Sequence, residues 1–267
     1  MFDLDGHAVL VVSAQDMLPK GFEYHNGNGT FALLGRRGAD DGIDWIADQA
    51  VDYGLDFYAP QSILTPDGRR VMIGWMQNWD TCNLHVKSTP WYGQMTVPRE
   101  LRVKNGRLFQ QPIRELEALR GEAVEYRDVT VEDGEIALDG ISGRTVDMTV
   151  EIEPDGELFN RFAVRFAKDS ERYTSVSFRP RESVVKVDRK FSGSRRAIIH
   201  QRRAKVDHDG GRLKLRLILD RFSVEAFIND GEKVMSATIP TDPSATGIAF
   251  FADGRARFSV KAHELRL

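Results

Sequence analysis

Leu101-Arg102-Val103-Lys104-Asn105-Gly106-Arg107-Leu108-Phe109-Gln110 reads as two short alternating strands around a two-residue Asn-Gly loop. That loop needs positive φ at both central residues, and Asn-Gly supplies them at little steric cost. A hairpin this tight joins antiparallel strands, so the stretch points to an antiparallel β protein. The same punctuation recurs upstream, where residues 62–65 and 70–75 flank Pro66-Asp67-Gly68. Two earlier apolar runs, residues 7–13 and 29–35, are joined by a loop holding Pro19, Gly21 and Asn26-Gly27.

Downstream the strands lengthen. Val146, Met148, Val150 and Ile152 alternate with Asp147, Thr149 and Glu151, and Leu213, Leu215, Leu217 and Leu219 share one face. Residues 224–228 and 233–239 flank Asn229-Asp230-Gly231-Glu232 in a further hairpin. Such strands with one apolar face predict a two-sheet β-sandwich. One segment differs: after Pro112, the residues Ile113, Leu116 and Leu119 lie three apart and predict a short helical connector with one buried stripe. The region before it offers only about six strands, too few for a closed barrel and fitting two blades of an incomplete propeller.

Composition narrows the function. The 267 residues carry 37 Lys/Arg against 40 Asp/Glu, so no global charge calls for nucleic acid or an anionic membrane. A single cysteine, Cys82, forms no intrachain disulfide. The apolar run Ala8-Val9-Leu10-Val11-Val12 is far short of the ~20 residues of a spanning helix. Asp3 and Asp5, with no basic leader, fit no export signal, so a cytoplasmic location is expected. The six histidines show no metal-ligand spacing, and no metal or other cofactor is expected. Between Arg179 and Arg216 stand thirteen Lys/Arg against four Asp/Glu. With Phe191 the sole aromatic there, the stretch reads as a solvated sheet face or an interface rather than a base-stacking platform.

Three segments carry a resemblance. Gly54-Leu55-Asp56-Phe57-Tyr58-Ala59-Pro60-Gln61, Arg70-Val71-Met72-Ile73-Gly74-Trp75-Met76 and Trp91-Tyr92-Gly93-Gln94-Met95-Thr96-Val97-Pro98-Arg99-Glu100-Leu101 closely resemble glycoside hydrolase family 32, the invertase, sucrose-6-phosphate hydrolase and fructanase group. Residues 110–120 are similar to the family's connector, and residues 220–231 to its sandwich signature. The resemblance implies an all-β chain: terminal blades of a five-bladed propeller (1–111), a short helical connector (112–121) and a C-terminal β-sandwich (122–267).

It also implies a retaining β-fructofuranosidase chemistry on sucrose or fructans. Such chemistry uses one carboxylate as nucleophile and one as acid/base, roughly 5–5.5 Å apart. The family places these, with a stabilising aspartate, in W-x-N-D-P-N, R-D-P and E-C-P segments. None of the three occurs in the 267 residues, and Met1 aligns just downstream of the acid/base segment. The expectation is therefore a C-terminal part of such an enzyme with little or no activity alone. A non-catalytic carbohydrate-binding or subunit-association sandwich is the alternative.

Among the residues present, the resemblance implies substrate-binding roles for Asp56, with Tyr58 nearby, and for Trp75. On its residues alone Asp56 reads as a turn aspartate before Ala59, and it is the resemblance that turns the reading toward a site; Trp75 reads equally as a buried core aromatic. Cutting a propeller between blades exposes an apolar face, so self-association or a covering partner is expected.

Overall fold

A computed structural model describes residues 1–38, 40, 42–77, 79, 93–193 and 199–266. Cys82, His85, Trp91, Tyr92, Arg195 and Arg196 lie outside the described residues, and with them the sequence readings for those positions. Among the described residues the regular elements are strands and two short 3₁₀ turns.

The first strands form two four-stranded meanders. β1 (Phe2–Leu4), β2 (His7–Met17), β3 (Gly27–Arg37) and β4 (Ile43–Ala50) pair in chain order, as do β5 (Tyr58–Leu64), β6 (Arg70–Trp75), β7 (Arg99–Lys104) and β8 (Arg107–Pro112). The Asn-Gly hairpin is present, with Asn105 at φ 50 and Gly106 at φ 71. These eight strands exceed the about six that alternation alone suggested. The short β1 is closed by Asp5 (φ 48) and Gly6 (φ 76), a second tight-turn pair. β4 escaped notice because Asp44, Asp48 and Gln49 dilute its apolar residues at the edge of its sheet. Val9, Leu34 and Ala32 from the first sheet share a buried core with Met72, Leu101, Val103 and Leu108 from the second.

The remaining strands are β9 (Arg120–Ile136), β10 (Val146–Pro154), β11 (Arg161–Lys168), β12 (Thr174–Arg179), β13 (Val184–Asp188), β14 (Gln201–Lys205), β15 (Leu213–Asp220), β16 (Ser223–Ile228), β17 (Lys233–Thr238) and β18 (Gly247–Leu265). Where the sequence suggested two separate sheets, they join as one antiparallel sheet of ten strands. The 19-residue β18 is the reason. Its first part pairs with β11, its second with β10, and β9 follows it along both. The register slips between Ala252 and Arg255, where Gly254 takes φ 87, and a bulge of that kind bends a strand from one layer into another. The enclosed core holds Met148, Phe162, Phe166, Leu215 and Leu217, with Phe250 and Phe258 stacked at 4.6 Å between ring centres. Burying each such side chain contributes about 1.5–3 kcal/mol.

The connector between the small sheets and β9 is a 3₁₀ turn, Arg114–Leu119. Ile113, Leu116 and Leu119 recur every three residues, which is the 3₁₀ period rather than the α period. Only part of the expected stripe is buried: Leu116 is 9% exposed and Leu119 37%.

Candidate functional site

Antiparallel pairing of β5 with β6 sets Tyr58 directly opposite Trp75. The ring of Trp79 lies edge-on to both, 6.4 Å from Tyr58 and 5.7 Å from Trp75 between ring centres. Tyr58 is buried and Trp75 half-buried, while Trp79 keeps 49% of its surface exposed. Two of the three sequence-predicted site residues thus belong to one aromatic cluster that opens to solvent through a third ring. Gly74, next to Trp75, leaves room for the Phe57 ring, since a Cβ there would fall 2.4 Å from it.

Trp79 and Phe57 also line a cavity of about 270 Å³ whose other walls include Tyr24, His25, Asn28 and Arg202. Burial and the nearby Arg202 guanidinium push the His25 imidazole down to about 4, so it stands neutral in this wall at pH 7. Aromatic faces beside planar polar groups suit a polyhydroxylated ligand, whose C–H faces pack on rings while its hydroxyls take hydrogen bonds.

Asp56 faces elsewhere. Its side chain is fully buried, and Oδ2 accepts hydrogen bonds from Arg189 Nη1 at 2.6 Å, Thr238 N at 2.7 Å and Thr238 Oγ1 at 2.9 Å. The backbone N–H groups of Leu55 and Asp56 both donate to the Ser236 carbonyl. The segment leading into Tyr58 is therefore pinned to β17 and to the residue after β13.

Beside it runs a second buried network. Arg99, 0% exposed, donates from Nε and Nη2 to Glu225 Oε2 at 3.0 and 2.6 Å, from Nη2 to Asp52 Oδ2 at 3.0 Å, and from Nη1 to Gln110 Oε1 at 3.0 Å. Asp52 accepts in addition from Gly54 N, Ser236 N and Ser236 Oγ. Burial pushes the Asp52 and Glu225 carboxyls up, against the opposing pull of the Arg99 guanidinium. Nothing larger than glycine fits at two crossings: a Cβ on Gly54 would meet Ser236 backbone at 2.1 Å, and one on Gly231 the Gln110 carbonyl at 1.7 Å.

Sequence reasoning passed over Arg99, Glu225 and Arg189. Glu225 had a usable signal, a carboxylate inside the otherwise apolar Val224-Glu225-Ala226-Phe227, where both faces of the strand are buried. Arg189 was hidden within the basic 179–216 stretch. Its C-terminal end is neutralised by carboxylates outside the stretch: Arg212 lies 3.3 Å from Glu153, Lys214 2.8 Å from Asp230 and Arg216 2.8 Å from the buried Asp147.

Residues 1–112 match the family model "Glycosyl hydrolases family 32 N-terminal domain", and residues 115–264 match "Glycosyl hydrolases family 32 C terminal". The sucrose-6-phosphate hydrolase of Staphylococcus xylosus is 32% identical over 251 residues, covering 92% of this chain and 49% of that protein. A levanase of Bacillus sp. (strain L7) is 34% identical over 215 residues, covering 76% of this chain and 23% of that protein. The chain thus spans about half, or less, of the length of these relatives. Among solved structures, a Bombyx mori GH32 β-fructofuranosidase superposes with a TM-score of 0.75 at 26% identity, over 99% of this chain and 53% of that one. The sucrose-6-phosphate hydrolase of Lactobacillus gasseri gives a TM-score of 0.83 at 20% identity, over 98% of this chain and 53% of that one, a likeness of fold.

Proposed function

This chain belongs to glycosyl hydrolase family 32, and we propose from that premise that it is the C-terminal portion of a β-fructofuranosidase-type hydrolase of sucrose or fructans. In this reading, β1–β8 are terminal propeller blades and β9–β18 the family's β-sandwich. Tyr58 and Trp75 face the sugar together with Trp79, and Asp56 positions them from below by anchoring their loop to Arg189 and Thr238. The observation that carries the proposal is the direct Tyr58–Trp75 pairing beneath a half-exposed Trp79.

Chemistry is a separate matter from binding. A retaining glycosidase needs a nucleophile and an acid/base acting as a unit, and removing such groups together abolishes nearly all the acceleration. The three family segments that carry them do not occur in these 267 residues. The remaining residues therefore position a fructosyl unit without cleaving its bond.

The test is tryptophan fluorescence during titration with fructose. Quenching that saturates, and that weakens in Trp75→Ala and Trp79→Ala, is expected. No saturable change in a folded wild-type chain would overturn the sugar-facing assignment.

A covering partner forms part of the same proposal. On the first sheet, Leu10, Val12, Phe31 and Leu33 are half-buried and Trp45 is 42% exposed, on the face turned away from the core shared with β5–β8. A face of this kind is covered in solution by a second copy or by a partner bearing a matching sheet. Sedimentation should show a species heavier than the 30.2 kDa monomer, and a monodisperse monomer would contradict this.

A further inference from the structure

We propose that the outer face of β10, β15 and β18 carries a second binding site, a groove for an extended neutral oligosaccharide. The choice of a fructan as its first ligand rests on the family reading above. The groove consists of two cavities of about 560 and 480 Å³ that share Glu151, Lys214 and Ser259. It lies on the ten-stranded sheet, and neither cavity includes Tyr58, Trp75 or Trp79 among its walls.

Strand register arranges this face in rungs. Thr149 on β10 sits between Lys261 on β18 and Arg216 on β15, and Glu151 sits between Ser259 and Lys214. Glu153, opposite Arg257, ends the series and also meets Arg212. Successive rungs are two residues apart, roughly 7 Å along the strand, so the three span roughly 14 Å. That length suits several linked sugar units better than one.

The charges on these rungs are largely used up. Arg257 and Arg212 hold Glu153 at 2.6 and 3.3 Å, Lys214 holds Asp230 at 2.8 Å, and Arg216 holds Asp147 at 2.8 Å. A polyanion would have to displace those pairs. Lys261, 4.0 Å from Glu125, is the most loosely held of these cations, and the other groups left over are hydrogen-bonding ones. The Glu151 carboxylate and the Thr149 hydroxyl have no partner among the described residues. Ser259 Oγ accepts from Asp128 N at 3.2 Å, which leaves its own hydrogen to donate. An unpaired carboxylate with Thr149 and Ser259 as hydroxyl neighbours, in a row whose apolar wall residues Ile152, Leu213, Phe227 and Phe258 are themselves buried and raise no ridge, recognises a polyol. A protein helix would need the ridge.

The experiment titrates the folded full chain with inulin-type oligosaccharides of increasing length, reading amide shifts by NMR. Shifts at Thr149, Glu151 and Ser259 are expected, with affinity rising with chain length. Glu151→Ala and Thr149→Val are surface changes that preserve the fold, and each should weaken binding about tenfold. Trp79→Ala should leave these shifts in place. The readout is local to the groove and involves no hydrolysis, so it is independent of whether the aromatic cluster binds fructose. Absence of shifts at these residues at saturating oligosaccharide would overturn the proposal. So would binding of a sulfated polyanion in place of the neutral chain, or shifts lost in Trp79→Ala but kept in Glu151→Ala.

Discussion

Arg189 Nη1 lies 2.6 Å from Asp56 Oδ2, joining residues 133 apart in sequence through two side chains that are 3% and 0% exposed. The contact ties the loop that enters β5, and so the strand bearing Tyr58, to the ten-stranded sheet. A fold that buries this pair makes the C-terminal sheet part of the site's scaffold rather than an appendage.

Removing one partner of such a pair strands the other charge in a low dielectric. Arg189→Met should therefore destabilise the chain by about 3–5 kcal/mol. Arg189→Met combined with Asp56→Asn should recover part of that loss, since no uncompensated carboxylate remains. Urea denaturation of wild type and the two variants measures this. Equal losses in the single and double variants would contradict the pairing argument.

The Arg99 network makes an asymmetric prediction. Arg99→Met leaves Asp52 and Glu225 facing each other without a cation, whereas Glu225→Gln leaves the Asp52–Arg99 pair balanced. Arg99→Met should cost about 3–5 kcal/mol and Glu225→Gln clearly less. The same denaturation curves give the ranking, and a reversed order would refute it.

Acid should act through Glu100. Hydrogen bonds from Arg114, assisted by Arg69, hold its carboxyl down at about 2, although burial pulls it up, against an ordinary value of 4.5. A carboxylate with a lowered folded-state pKa stabilises fully above its unfolded value, and that stability fades as pH falls through the folded value. Between pH 4.5 and 2 the advantage of wild type over Glu100→Gln should shrink toward zero. Urea midpoints across that range test this, and a gap that widened on acidification would have the wrong sign.

The tight crossings predict a contrast among glycines. Gly231→Ala meets the Gln110 carbonyl at 1.7 Å, while Gly68→Ala has the same φ of 84 with open space around it. The first should cost about 2 kcal/mol or more, and the second only the left-handed backbone penalty of about 1 kcal/mol. Thermal melts of the two proteins separate steric crowding from backbone strain.

Much of the fold was legible because turn chemistry is local. Asn105-Gly106 and Pro66-Asp67-Gly68 each announced a hairpin that the structure contains. The continuity of the C-terminal sheet was not legible. It depends on one bulge near Gly254 in a strand whose two parts serve different neighbours. For the candidate site, the motif around Asp56-Phe57-Tyr58 drew attention to this loop, but which way Asp56 turns is set by Arg189, far away in the chain. Long-range charge pairing of this kind leaves no periodic trace. The basic stretch likewise appeared as a patch only because its acidic partners, Glu153, Asp230 and Asp147, lie on other strands or beyond its ends.

The central claim is that this chain holds a sugar-facing aromatic cluster without the carboxylates that cleave a fructosyl bond. Fructose release from sucrose and from levan by the purified chain tests it most directly, assayed beside a full-length family member. The account predicts no release above the enzyme-free blank from a chain whose fluorescence still responds to fructose. Sustained release at a rate approaching that of the full-length enzyme would contradict it and would require an acid within these 267 residues to take the missing roles.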